Sequence, residues 1–117
     1  MKARNGFVGG LLLMGALGAQ AAVGNCEPPG ASPEVPDGAY ANEDVLADAS
    51  GAVRSYVAKT QDYLACLEKR EADLGADITD QMRADIVATY NAAVESMQEV
   101  AEDFNEQVRR YRERSGG

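Results

Sequence analysis

Two cysteines are the residues with the most obvious chemistry in this chain, and their spacing limits what that chemistry can be. Cys26 and Cys66 lie forty positions apart, with no strand pattern beside either. A catalytic dithiol sits as C-x-x-C next to a strand and a helix, so thiol oxidoreductase activity is disfavoured. A structural disulfide is the leading assignment, with an intermolecular bridge or two free thiols as the alternatives. The 117 residues include no histidine. Imidazole acid–base catalysis and the usual zinc and copper ligand sets therefore lack their central group. Met82 and Met97 are too few for a thioether copper array.

The carboxylates come next. Glu95, Glu99, Glu102, Asp103 and Glu106 crowd one stretch, from which weak cation binding or a basic partner could be read. A straight helix splays such groups, whereas calcium needs six to eight oxygens converging from a loop. A solvated helix face is the plainer reading. There is no G-x-S-x-G, phosphate loop or dinucleotide glycine pattern, and a helical hairpin offers little concavity for a glycosidase carboxylate pair. The expectation is a protein that is not an enzyme and that has no cofactor and no metal site.

The N-terminus states an address. Lys2 and Arg4 precede the apolar run from Phe7 to Ala19, and Ala19-Gln20-Ala21 places small residues at alternate positions. This is the pattern of a secretory signal peptide over residues 1–21, with cleavage after Ala21. The run is short and glycine-rich beside the ~20 residues of a bilayer span, which makes a retained anchor the weaker reading. Cys26 also admits lipidation, although Asn25 is a poor residue directly before a lipid-modified cysteine. Cleavage removes two of the 11 basic side chains and none of the 19 acidic ones, so the net charge moves from −8 to −10. Such acidity opposes nucleic acid and anionic membrane, which bind through positive charge. A periplasmic or secreted location is expected, with no membrane association after the signal is removed.

Residues 22–41 read as a proline-rich tail. All 4 prolines of the chain fall between Pro28 and Pro36, which forbids helix and favours an extended strap or spacer. Two helices follow over residues 42–117. The first starts with Asn42 as N-cap and Glu43 and Asp44 in the first turn, and ends near Asp73 before Gly75. Leu46, Val53, Thr60 and Leu67 recur every seven residues, as do Ala49, Tyr56 and Tyr63. Gly51 weakens the middle and suggests a bend or the close approach of another backbone. The second helix starts between Asp77 and Thr79 and runs to about Arg112. Tyr90, Met97, Phe104 and Tyr111 repeat at sevens, flanked by Ile86, Ala93 and Val100, and then by Val87, Val94, Ala101 and Val108.

The fold expected is all-α: a two-helix antiparallel hairpin with an extended N-terminal tail. Its apolar stripe takes three positions in seven, broader than a simple coiled-coil seam, so each helix wants more than one neighbour. Two devices can supply the rest. Cys66 lies about 35 Å along the first helix and the sixteen residues from Cys26 to Asn42 span about 50 Å, enough for the tail to double back and be pinned. Homodimerisation into a four-helix bundle is the other. Tyr90, Met97, Phe104 and Tyr111 are the expected interaction face, toward a second copy or another envelope protein.

The cysteine- and proline-containing opening resembles small secreted helical-hairpin proteins of Gram-negative bacteria. So do Tyr63-Leu64-Ala65-Cys66-Leu67, Tyr90-Asn91-Ala92-Ala93-Val94 and the stretch from Phe104 to Arg109. The resemblance implies a periplasmic address and supplies no activity. A looser likeness is to periplasmic stress adaptors with an L-T-x-x-Q motif, where this chain has Ile78-Thr79-Asp80-Gln81. The leading functional expectation is a structural or protein-interaction module. A chaperone or envelope-stress adaptor is the alternative.

Overall fold

A computed structural model describes residues 25–116. The expected signal peptide, residues 1–21, and the first three residues of the expected tail lie outside the described residues. Two long helices account for most of the rest: α1, Glu43–Leu74, and α2, Asp80–Arg114. They pack antiparallel, joined by one turn of 3-10 helix at Gly75–Asp77. The described residues hold no strand.

Each boundary has a local cause. The Asn42 side chain accepts the Val45 backbone N–H at 2.9 Å, and Glu43 and Asp44 lie at the positive end of the helix dipole. At the other end of α1, Gly75 adopts φ 52° and donates its N–H to the Glu71 carbonyl. That conformation belongs to glycine, and it turns the chain toward α2. Between the two candidates for the second cap, Thr79 is the one used: its hydroxyl accepts the Met82 N–H at 3.0 Å. Both helices end one or two residues beyond the boundaries read from sequence.

The heptad positions of α1 form the core. Leu46, Val53, Thr60 and Leu67 are all buried, as are Ala49, Tyr56 and Tyr63. Thr60 is a polar side chain with no exposure, and its hydroxyl donates to the Tyr56 carbonyl at 2.8 Å one turn back. That bond removes the penalty of an unpaired hydroxyl in the interior. On α2 the buried positions are Ile86 and Val100, while Tyr90, Met97, Phe104 and Tyr111 are half-buried. The centre of the α2 stripe thus lies one position away from the aromatic row.

The tail is a third layer. Cys26 is buried against Tyr63, Leu67 and Ile86. From there the chain runs back along α1, with Val35 packed against the cluster of Val53, Tyr56 and Val100. Asp37 then ends the strap in a tight turn: its side chain accepts the Ala39 N–H, and its carbonyl accepts those of Tyr40 and Ala41.

The close backbone approach expected at Gly51 occurs at Gly38 instead. A side chain at Gly51 would meet nothing within 4 Å, and α1 runs through it as continuous helix. A Cβ on Gly38 would fall 1.8 Å from the Gln107 carbonyl oxygen. The obstacle is backbone, so it cannot swing aside. We expect Gly38→Ala to cost roughly 1–3 kcal/mol by prising the turn off α2. Chemical denaturation checks this, with Gly51→Ala as the control expected to be neutral or stabilising.

Candidate interaction surface

The strap gives the hairpin two unlike flanks. On one flank Cys26 and Cys66 are joined with their Cα atoms 5.6 Å apart, so the pairing read from sequence is present. Next to the bridge, Glu27, Pro28 and Pro29 lie over Lys59, Asp62 and Tyr63, leaving a cleft of about 410 Å³. At the far end, α2 holds the Asp37 turn with a clasp. The Gly38 N–H donates to Gln107 Oε1 at 2.9 Å, while Gln107 Nε2 donates to Asp103 Oδ1, which fixes the amide. Arg114 donates to the carbonyls of Gly38 and Ala41, and its guanidinium stacks 5.2 Å from the Tyr111 ring centre. Buried main-chain carbonyls with no helix partner are satisfied this way.

This clasp is invisible to helical periodicity. Gln107 and Arg114 fall on a polar flank that pattern reading treats as solvated. The available signals were Asp37-Gly38, a turn pair placed directly after the last proline, and an arginine in the last turn of α2.

On the opposite flank none of the described tail residues lines the cleft that opens there. This cleft, of about 260 Å³, is lined by Glu68, Glu71, Ile86, Val87, Tyr90 and Asn91. Tyr90 donates its hydroxyl to Glu68 Oε2 at 3.2 Å, and Arg83 pairs with Glu71 at 3.1 Å. Val87 is 47% exposed. Val57, Val94, Ala101 and Val108 continue this flank as half-buried residues, and Gln61, Asn91, Gln98 and Asn105 are exposed beside them.

The four residues of the expected interaction face fare differently from one another. Tyr90 borders the open cleft, Phe104 packs into the cluster with Val53 and Tyr56, Tyr111 lies beneath Arg114, and Met97 is half-buried. Much of this row is therefore engaged within the chain. The acidic stretch is spread in the same way. Asp103 holds Gln107, Glu106 pairs with both Arg109 and Arg110, and Glu95, Glu99 and Glu102 are exposed. Among the described residues no three His, Cys, Asp or Glu side chains converge on a position where a metal ion could sit. No helix among them is long and apolar enough to cross a membrane.

Two tyrosines are electrostatically marked. Hydrogen bonding to Glu68 raises the Tyr90 pKa above 10.0, with that carboxylate's charge and burial acting in the same direction. Burial raises Tyr63. A raised pKa means that the fold favours the protonated phenol. Its contribution is complete below the unfolded value near 10 and is lost as pH climbs through the folded value. We expect Tyr90 to ionise late in a phenolate absorbance titration and Glu68→Gln to bring its transition down. An unchanged transition would show that the Glu68 contact is not made.

No protein-family model matches the chain, and no curated protein or solved structure shows significant similarity to it.

Proposed function

We propose that the protein is an exported, non-enzymatic interaction module of the cell envelope: a strapped helical hairpin that offers its uncovered flank to a protein partner. The observation that carries this reading is the asymmetry of the two flanks. One is closed by a disulfide, a packed valine and a hydrogen-bonded clasp, whereas the other leaves Val87 47% exposed beside half-buried Val94 and Ala101. A domain this small gains from covering apolar surface, and a flank left open along two helices suits helix-on-helix docking.

The remaining chemistry supports the same reading. The Cys26–Cys66 bridge suits an oxidising compartment, in agreement with the export signal read at residues 1–21. With −8 net charge on the chain, the partner is a protein rather than nucleic acid or anionic lipid. Light scattering of the mature protein combined with affinity capture from envelope extract tests the proposal. A strict monomer that retains no protein would contradict it.

A further inference from the structure

We infer that the uncovered flank is the seat of a second copy of this chain, docked about a two-fold axis that crosses α2 near Gln98. The inference rests on the interaction-module reading and names its partner.

Helix geometry defines the flank. At about 100° per residue, it comprises the positions turned roughly 40–140° from Leu67 on α1 and from Ile86 on α2, on the side of the Tyr90–Glu68 contact. On α2 that side presents Val87, Val94, Ala101 and Val108 in sevens. Asn91, Gln98 and Asn105 run alongside at the same interval. From Val87 to Val108 this side of α2 carries no charged residue, in a chain that is 26% charged. The acids of this stretch, Glu95, Glu99, Glu102 and Asp103, point elsewhere and are exposed.

Charge then selects the occupant. On the whole flank the acids are Glu43, Glu68, Glu71 and Asp80. They are matched in number by Arg54, Arg83, Arg109 and Arg112. The flank is electrically neutral, so the mature chain's surplus of −10 (9 basic against 19 acidic side chains) lies on the rest of the molecule. Two copies of an acidic protein meet here without net charge repulsion, whereas the remaining surface carries the whole acidic surplus. A cationic partner would be drawn to the other faces instead. Depletion of charge is also the compositional mark of an interface centre.

Size and pairing agree. The flank between Val87 and Val108 is about 32 Å long and two helices, about 22 Å, wide, uncharged along α2 and bearing Arg54, Glu68 and Glu71 on α1. Two such flanks bury roughly 1,400 Å², within the range of stable specific interfaces. A two-fold through Gln98 brings Val87 of one copy near Val108 of the other and Val94 near Ala101. It also sets Asn91 opposite Asn105, so the amides have partners of their own kind. The product is an antiparallel four-helix bundle with the two straps on its outer sides.

Sedimentation equilibrium of the oxidised mature protein tests this. The expected result is twice the chain mass at micromolar concentration. Ala101→Glu, which sets a carboxylate against an apolar partner position in both halves, should weaken the dimer roughly 100-fold or more with helicity retained. Glu102→Gln on the other face should leave it intact. As a measurement that does not depend on disruption, Gln98→Cys should cross-link to itself on oxidation, and Glu102→Cys should not. A wild-type monomer at about 100 μM, where even weak interfaces are occupied, would overturn the inference, as would an Ala101→Glu variant that stays dimeric. If the wild type is monomeric yet retains an envelope protein that Ala101→Glu loses, only the second copy is refuted. If it retains none, the interaction reading falls too.

Discussion

Replacing Cys26 and Cys66 together by serine should lower stability by about 4 kcal/mol and the melting temperature by roughly 20 °C. The bridge spans a sequence separation of 40, and cutting it returns that loop's entropy to the unfolded chain. A domain of this size commonly holds only about 5–15 kcal/mol in all, so the loss removes a large part of the total. The local consequence is also specific. Cys26 is one wall of the cluster containing Tyr63, Leu67 and Ile86, so a released tail bares apolar surface that the intact fold covers. Thermal denaturation followed by circular dichroism measures the shift, and a change of only a degree or two would mean that the strap is held by its clasp alone.

Leu67→Ala is expected to cost about 2–5 kcal/mol, the other large effect. Leu67 has no exposure and lies where α1, α2 and the tail meet, so the lost volume has neighbours from three segments and no easy collapse. Because Leu67 touches the cluster that Cys26 completes, the two perturbations should couple. In the double-serine background Leu67→Ala should cost measurably less than in the wild type. Denaturant unfolding of the four proteins in that cycle gives the coupling directly. Strict additivity would place the tail away from Leu67.

The hairpin and its core were legible because α1 keeps its apolar residues in register for four heptads. Leu46, Val53, Thr60 and Leu67 are buried to the last member, including a threonine that composition alone would have placed outside. The caps were equally readable, since Asn42 and Thr79 satisfy N–H groups that no helical carbonyl can reach. The cysteine pairing followed from compartment and count. The clasp was hidden because its bonds join Gly38 to Gln107 across 69 positions and Ala41 to Arg114 across 73, where periodicity says nothing. Gly51 misled for a related reason. A glycine in a helix looks like a contact point, yet this one faces solvent, and the contact belongs to a glycine in a turn. The aromatic row Tyr90, Met97, Phe104 and Tyr111 is the most regular pattern in the sequence, but regularity did not separate surface from core. Phe104 and Tyr111 are engaged by the chain's own valines and arginine. The flank that remains is set by where the strap lies, which no single helix pattern contains.

Native mass spectrometry of the protein isolated under oxidising conditions bears on all of this at once. A strapped hairpin paired through its electrically neutral flank predicts a species of twice the mature mass, each chain lacking the two hydrogens of free thiols. A monomer of that chain with both thiols intact would contradict the account at its root.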